Sequence, residues 1–513
     1  MLKKFFSKST SSLEELCGNP LKTVVFFSVL LAVFYTVQHS LLQNVLGADT
    51  LLAFSNGAQK SLGNSTQPPL SGWLTYAVSF AGNHKDWVLY LATQLCLVVS
   101  VLYVYKSARV FYDEFAAGTA ALLCCFTFFY NPSTVDFCSY PLTVMLIPVA
   151  AYNFFKALKD DKALNWVALG IFSAAGILNS YIFILVVLAF AVILFRNSDN
   201  RRHLKNIKLY VSIAVMLLAI YFHFKWLWFN DFITVKALLA RSENFKWYTP
   251  LLIPCVVLYL YAVMALVLFL ANRPDFRTCE RRTVNKTVGA DMLLISLIPA
   301  AGLIVLAFTG NVPIMLCGGT AALAAVAAIS FCPRQIDRKF FTRVVVMLEL
   351  FSIAMMITST IVLLKKSDPQ VHSNPEAYTR SALNFYNKHS ITQIPVIAGT
   401  GYEASLLQKY LPDHPPVCAF DDPNAIKRYR QKIKNEGALL IFAPAKDQQR
   451  RIPQEVYDFL KQTGSDQNMI RLSRIVYFAK ARWGKRTKQV FYLGYLPPAN
   501  NTQSIRIVPV GSK

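Results

Sequence analysis

Residues 47–74, GADTLLAFSNGAQKSLGNSTQPPLSGWL, directly follow the first long apolar run of the chain. The stretch opens with a lone carboxylate, Asp49, and ends in the box Gln67-Pro68-Pro69-Leu70 before an aromatic-rich patch. Adjacent prolines lack N–H donors and bias their neighbours away from helix, so the box predicts a rigid elbow. A carboxylate and an elbow between two hydrophobic segments indicate a site where membrane meets water. The alternative is an ordinary amphipathic connecting loop.

The composition is typical of a polytopic membrane protein. Of the 513 residues, 54% are hydrophobic and only 16% are charged, and the mean hydropathy is +0.39, which argues against a soluble domain. The ten cysteines form neither a CxxC motif nor a Cys/His cluster, and most lie inside apolar runs. They predict no disulfide framework and no metal site.

The net charge of +24 invites a nucleic-acid interpretation, but its distribution argues otherwise. Much of this charge lies in short loops between apolar runs, where basic residues set the orientation of a membrane protein. We therefore expect a membrane and no nucleic acid as partner.

The apolar runs predict eleven spans, taking about 20 residues for each crossing. The first run is too long for a typical signal-peptide core and lacks a convincing cleavage site, so it is expected to be retained. The predicted spans cover 21–39, 87–105, 114–130, 135–155, 163–179, 181–196, 207–226, 249–271, 290–309, 312–331 and 343–364.

Charges in the loops predict the orientation. Alternate loops carry clusters of Lys and Arg, whereas the tight turns at 131–134, 179–181 and 310–312 contain none. The positive-inside rule then places the N-terminus in the cytoplasm. With an odd number of spans, Asp49, the elbow and everything after Lys365 share the non-cytoplasmic face. The prediction is a multi-span domain over 1–365 and a periplasmic α/β domain over 366–513.

Ionisable residues are nearly absent from the predicted spans, where Glu349 is the clear exception. Ion-coupled transporters keep buried charges along a path because an unpaired charge in hydrocarbon is costly. Polar groups gathered at one interface are more typical of an enzyme that handles a lipid-linked substrate. Glu349 is interpreted as pairing with a neighbouring helix.

Several motifs resemble one known family in the same order along the chain. They are Gln67 to Leu74 (Q/K-P-P-L-x-x-W-L), Ser107 to Phe111 (A-R-x-F), Phe129 to Val135 (F-N-x-N-T-V), Phe222 to Phe232, and the tail segments 394–400 and 436–441. The chain thus resembles the bacterial polytopic GT-C type glycosyltransferases of the protein-mannosyltransferase type, related to the lipid A aminoarabinose transferase. His223, in the fourth motif, matches no role in that pattern and is interpreted as interfacial packing.

The resemblance implies an inverting transfer of a sugar from a polyprenyl phosphate. An acceptor hydroxyl attacks the anomeric carbon, which requires a carboxylate base and cations on the departing phosphate. Asp49 matches the family's acidic position and is the candidate base, the alternative being a structural role. Asp136 is a second catalytic candidate, or else a helix cap.

Further residues are expected to bind substrate, either through the motifs or as cations on the predicted non-cytoplasmic face. They are Gln67, Pro68, Lys225, Asp231, Lys236 and Arg241. Arg offers a bidentate fork to phosphate and Lys a point charge. The alternative for Lys225 is snorkelling from a span end toward headgroups. No metal or other cofactor is expected.

Two departures from the family pattern stand out. Asp49 is followed by Thr50, where the family usually has a second acid, and Asn179-Ser180-Tyr181 replaces a turn that a Lys often precedes. These departures keep open an inactive homologue that acts in assembly.

The last part of the chain changes character after residue 365. Short apolar runs at 394–398, 438–443 and 489–495 alternate with helix-like stretches at 376–388, 401–411, 423–435 and 452–462, which predicts a small α/β domain. Residues 365–513 hold 23 Lys and Arg against 11 Asp and Glu, a net charge of +12. Such a domain attracts lipid phosphates or an anionic glycolipid, unless the charge is merely a solvated surface. Gly399-Thr400-Gly401 is too short a motif to indicate a nucleotide site.

Together these features predict a glycosyltransferase of the bacterial inner membrane. It is expected to move a sugar from a polyprenyl-phosphate donor to an envelope glycolipid or similar acceptor on the periplasmic face. A transporter or flippase of lipid-linked sugars is the alternative from another class.

Overall fold

The computed structural model describes residues 15–131, 135–240, 246–272, 284–309, 317–444, 452–465 and 470–499. The chain divides into two compact units. The first comprises Met1–Gln43 and Lys60–Lys365, and the second comprises Asn44–Gln59 and Lys366–Lys513. The sequence predicts one boundary near residue 365, whereas residues 44–59 also belong to the second unit.

The first unit is entirely helical in its described part. Numbered along the whole chain, its α-helices are α1 (Pro20–Leu42), α3 (Pro69–Ala81), α4 (Asp86–Arg109), α5 (Glu114–Cys124), α6 (Ser139–Asp160), α7 (Ala163–Asn179), α8 (Phe183–Arg196), α9 (Ser198–Arg201), α10 (Ile207–Phe229), α11 (Ile233–Leu239), α12 (Thr249–Asn272), α13 (Lys286–Ala307), α14 (Cys317–Phe331) and α15 (Arg338–Lys365).

The predicted class, a polytopic α-helical membrane protein, is confirmed. Seven helices in the described part, α1, α4, α6, α10, α12, α13 and α15, are long and apolar enough to cross a membrane. The number rises to eight if α8 and the segment Ser198–Lys205, bent by 103°, count as one span. Each of the eleven predicted spans overlaps a helix, but α5, α7 and α14 are shorter apolar helices.

Burial within the protein explains why apolar content alone predicted some spans that are longer than the helices observed there. Helix α5 consists mainly of small residues that are fully enclosed by protein. A Cβ on its Gly118 would lie 2.8 Å from the Phe341 ring and 2.9 Å from Pro20. Such a helix is apolar because it lies in a packed core, and it needs no membrane length.

The layering of the first unit places a few helices inside and others outside. Helix α4 packs against α1 and α6, and α6 is the most enclosed of the long helices. Helices α10, α12 and α15 are mostly uncovered by protein, and large apolar side chains such as Leu218 and Phe229 are exposed on α10. Apolar surface of that extent fits helices that face lipid.

The second unit is a five-stranded mixed sheet with helices. Its elements are α2 (Ala48–Ala58), α16 (Pro369–His372), α17 (Pro375–Asn387), β1 (Ile397–Gly399), α18 (Gly401–Tyr410), β2 (Val417–Ala419), α19 (Pro423–Glu436), β3 (Ala438–Phe442), α20 (Gln454–Thr463), β4 (Arg471–Ala479) and β5 (Thr487–Leu496). The strand order is β2-β1-β3-β5-β4, with β2, β1 and β3 parallel and β5 and β4 antiparallel to their neighbours. The predicted C-terminal α/β fold is confirmed.

Helix α2 belongs to this second unit because it packs on α18. A Cβ on Gly401, the first residue of α18, would lie 3.0 Å from the Leu52 side chain. The Leu46 N–H also donates to the Tyr410 hydroxyl at 3.1 Å. An apolar side chain therefore covers the turn after β1, where a nucleotide phosphate would bind in a dinucleotide-binding fold.

Candidate active site

In the structure the elbow before α3 comprises residues 62–68. A side chain within this segment fixes its conformation. The Asn64 Oδ1 accepts hydrogen bonds from the backbone N–H groups of Thr66 at 2.8 Å and Gln67 at 2.7 Å, and from the Thr66 hydroxyl at 2.9 Å. Asn favours this kind of local turn because its short amide reaches the backbone two residues on. Pro68 and Pro69 follow at the start of α3, so Gln67 is held at the helix N-terminus.

Residues of α10 and α11 hold the other side of the same elbow. The Leu62 carbonyl accepts from His223 Nδ1 at 2.6 Å, and the Asn64 carbonyl accepts from the Thr234 hydroxyl at 2.5 Å. The Trp226 ring covers Gly63, where an added Cβ would lie 2.6 Å from the ring. The elbow is therefore clamped against a segment that is distant in sequence.

His223 also joins the turn that precedes α8. With Nδ1 donating to a carbonyl, Nε2 is the acceptor, and the Tyr181 hydroxyl donates to it at 2.9 Å. The His223 ring stacks with Tyr181 at 5.8 Å and with Trp226 at 6.0 Å between centroids. The interpretation of His223 as interfacial packing is incomplete, because the side chain is buried and both ring nitrogens are hydrogen-bonded.

Asp136 is placed by the two helices that flank it. The Thr93 hydroxyl of α4 donates to the Val135 carbonyl at 3.0 Å, and the Thr75 hydroxyl of α3 donates to the Phe137 carbonyl at 3.1 Å. The backbone on both sides of the carboxylate is thus anchored. Asp136 itself is partly exposed and lies three residues before α6, so the capping alternative is not what the structure has.

A second carboxylate, which sequence reasoning missed, interacts with the same tyrosine as Asp136. Asp86 begins α4, Tyr90 follows one turn later, and both carboxylates interact electrostatically with Tyr90. The Tyr90 hydroxyl donates to Gln43 Oε1 at 3.0 Å. The signal in the sequence was the spacing of Asp86 and Tyr90, which lie four residues apart on one helix face. A first-turn acid, however, is usually explained by the helix dipole alone.

The side chain of Gln67 has a hydrogen-bond acceptor that is unused among the described residues. Its side-chain Oε1 is buried and accepts no hydrogen bond from the residues that the structure describes. A buried polar atom without a partner is costly, and such an atom in a folded protein is explained by strain, by a functional role, or by a bound water or ion. The residue that begins the elbow box therefore has an acceptor available for a ligand.

The remaining predicted substrate residues lie around the junction of α10 and α11. Lys225, Asp231 and Lys236 are exposed, and none forms an ion pair within the described part of the chain. Asp231 and Phe232 adopt positive φ values of 51° and 53°, a conformation that costs a non-glycine residue about 1 kcal/mol or more. Arg241 lies outside the described residues.

Asp49, the predicted base, belongs to the second unit, whereas the other described candidates belong to the first. It occupies the first turn of α2, where the helix dipole favours a negative charge. Partial burial nevertheless raises the pKa of its carboxyl above the ordinary aspartate value. Asp49 is therefore a stronger base than a solvated aspartate. Among the described residues, no group of three His, Cys, Asp or Glu could hold a metal ion.

Comparisons with known proteins agree with these features. Residues 66–226 match the family model of the dolichyl-phosphate-mannose-protein mannosyltransferases. The lipopolysaccharide core galacturonosyltransferase RgtA of Rhizobium johnstonii is 25% identical over 260 residues, 48% of this chain and 52% of that protein. The match thus spans about half the length of that relative.

The fold is similar to that of a solved structure along nearly the whole length of the chain. ArnT from Cupriavidus metallidurans bound to undecaprenyl phosphate superimposes with a TM-score of 0.58 and 15% identity, covering 92% of this chain and 97% of that one. Its apo state gives 0.56 with the same coverage. As its motifs predicted, the chain resembles the GT-C type glycosyltransferases of the protein-mannosyltransferase and ArnT superfamily, in sequence over residues 66–226 and in fold over 92% of its length.

Proposed function

We propose that the protein is an integral membrane glycosyltransferase that moves a sugar from a polyprenyl-phosphate donor to an envelope glycolipid or similar acceptor. The reaction takes place on the periplasmic face of the bacterial inner membrane and inverts the anomeric centre. The fold similarity to ArnT, solved with undecaprenyl phosphate, supports the donor class. The similarity to RgtA, a lipopolysaccharide core galacturonosyltransferase, supports the acceptor class.

One observation carries the proposal: helix α3 connects the elbow to the loop that contains Asp136. Helix α3 begins two residues after Gln67, and its Thr75 holds the carbonyl next to Asp136. The unsatisfied amide oxygen of Gln67 and the carboxylate of Asp136 are thus positioned by one short, rigid element. A hydrogen-bond acceptor and a carboxylate that are both positioned by α3 can orient a sugar, because a sugar is rich in hydroxyl groups.

The chemistry assigns one role to each kind of residue. Asp49 removes the proton from the acceptor hydroxyl as that oxygen forms its bond to the anomeric carbon. The bond between that carbon and the lipid phosphate oxygen breaks, and the electron pair leaves with the phosphate. Asp136 orients the acceptor, and Gln67 accepts a hydrogen bond from a hydroxyl of the donor sugar.

The departing phosphate requires positive charge nearby. Lys225, Lys236 and Arg241 supply it in this proposal, and Asp231 is a further substrate-binding residue. The exposure of Lys225 and Lys236, without an ion pair in the described part of the chain, supports their availability for a phosphate. Pre-placed cations stabilise charge that develops in the transition state.

The experiment supplies purified protein in proteoliposomes with a polyprenyl-phosphate sugar labelled in the sugar. A lipid extract from a bacterial envelope serves as acceptor. The proposal predicts label in a product that is covalently distinct from the donor and that needs both substrates. Movement of intact donor across the bilayer without a new product would instead support the flippase alternative. If no product forms and no donor moves, the result would favour the inactive homologue. The replacement of the family's second acid by Thr50 is the sequence feature that agrees with that alternative.

A further inference from the structure

The β4–β5 hairpin concentrates positive charge in the second unit. Residues 471–499 contain seven Lys and Arg and no Asp or Glu. Five of these cations lie in and beside the turn, and all five are exposed: Lys480, Arg482, Lys485, Arg486 and Lys488. None of them forms an ion pair with a residue that the structure describes. Their charge is therefore not neutralised within the described structure.

Large apolar side chains are exposed among these cations. Trp483, at the turn, is 65% exposed and Phe478 is 54% exposed. Phe478 lies opposite Lys488 across the hairpin, and the exposed Val476 lies opposite Val490. A merely solvated surface explains the cations but not the aromatic residues. Cations around an exposed Trp are typical of a surface that meets lipid headgroups.

The hairpin is attached where the chain leaves the last predicted span. The Ala481 N–H donates to the Ser367 hydroxyl at 3.0 Å, and the Thr487 hydroxyl donates to the Ser367 carbonyl at 3.1 Å. Ser367 follows the last residue of α15, Lys365, by two positions, a path of at most about 7 Å. Both ends of the turn are therefore hydrogen-bonded to a residue that follows, by two positions in the chain, a helix long and apolar enough to cross a membrane.

We propose that this hairpin docks on the bilayer surface by binding the phosphates of anionic phospholipids. The guanidinium groups of Arg482 and Arg486 form bidentate contacts with phosphate, and the lysines add point charges. Trp483 inserts at the headgroup level, as an amphipathic ring prefers. The contact would hold the second unit against the membrane, a role separate from glycosyl transfer.

The test compares amide hydrogen exchange of the full-length protein in two kinds of nanodisc. One contains phosphatidylcholine alone, and the other contains about 30% phosphatidylglycerol, so that its surface is anionic. We expect exchange in peptides over 480–488 to be slower by about tenfold in the anionic discs. The difference should shrink when the salt rises to about 0.5 M, because screening shortens the reach of surface charge.

A matched pair of variants separates the hairpin from overall charge. In Arg482→Gln/Lys485→Gln/Arg486→Gln the lipid-dependent protection should disappear. In Lys427→Gln/Arg430→Gln/Lys461→Gln, which removes the same charge from exposed positions of α19 and α20, it should persist. Unchanged exchange in the buried strand β3 verifies that each variant is folded.

Three results would overturn the proposal. The first is equal exchange of the wild-type hairpin in both discs, and the second is protection that survives in the hairpin variant. The third is protection that appears only when the discs hold a phosphorylated envelope glycolipid, which would assign the hairpin to acceptor capture. The measurement needs no sugar transfer, so its outcome is independent of the proposed enzymatic function.

Discussion

His223 Nδ1 donates a hydrogen bond to the Leu62 carbonyl at 2.6 Å, which joins α10 to an elbow 161 residues earlier in the chain. Nε2 of the same ring accepts from Tyr181. One buried side chain therefore connects three segments that resemble, or depart from, the glycosyltransferase pattern. Because a small displacement of a substrate-positioning group costs much of its effect, this connection makes His223 a positioning residue for Gln67.

Replacing His223 tests that role. In His223→Ala the Leu62 carbonyl loses its donor and the elbow loosens, so we expect transfer to fall by about tenfold to a hundredfold. In His223→Asn the amide N–H reaches in the direction of Nδ1, so much of the activity should return. The measurement is kcat and KM for sugar transfer by each variant at equal folded protein. Equal loss in both variants would mean that the hydrogen bond to Leu62 is not what matters.

Gly63 gives a second, steric test of the elbow. The Cβ in Gly63→Ala would lie 2.6 Å from the Trp226 ring, so the elbow or the ring has to move, at a cost of about 1–3 kcal/mol. We expect a lower transfer rate and a lower thermal midpoint in detergent. The double variant Gly63→Ala/Trp226→Phe, with a smaller ring, should recover part of both. If the double variant is no better than the single one, this contact is not the cause.

Sugar transfer should depend on the Asp136 carboxylate but not on a carboxylate in another loop. Asp136→Asn removes the charge between two anchored carbonyls, and we expect transfer to fall by about a hundredfold or more. Asp113→Asn is the matched control, because Asp113 caps α5 from the loop at the far end of α4. Loss of a cap costs about 1 kcal/mol of stability and should leave transfer unchanged. Equal transfer by wild type and Asp136→Asn would contradict this assignment.

The sequence predicted the helices well and their environment less well. Apolar runs indicate burial but do not distinguish lipid from protein, so the sequence did not indicate that α5 is a short helix enclosed by protein around Gly118. In the second unit the predicted runs became β1, β3 and β5, but the three-residue β2 and the longer β4 were missed. The exposed cations Arg471 and Arg474 and the place of β4 at the sheet edge give that strand a polar pattern, because an edge strand need not be apolar.

The candidate site was predictable only in part, because its parts are brought together by tertiary contacts. The elbow box marked Gln67 and the turn marked Asp136, since both carry local sequence signals. No local pattern indicates that His223 would bond Leu62 or that Asp136 would interact with the same tyrosine as Asp86. The helix packing that creates those neighbours depends on residues far apart in the chain.

The pH dependence of transfer should report the burial of Asp49. Its pKa is raised because burial disfavours the charged form, and a general base works only when it is deprotonated. The rate should therefore fall as the pH drops through this raised pKa, on a limb that lies above the ordinary aspartate range near about 4. A profile of kcat/KM between about pH 4 and pH 8 measures the limb. A limb at the value of a solvated aspartate would argue against Asp49 as the base.

The most direct test of the whole account is the rate of label transfer by Asp49→Asn beside wild type at equal folded protein. Asp421→Asn, at an exposed position of the second unit, is the control for the same chemical change. We expect Asp49→Asn to lose about a hundredfold to ten-thousandfold of the rate, whereas Asp421→Asn should keep it. Transfer by Asp49→Asn at the wild-type rate would contradict the account and remove Asp49 from the mechanism.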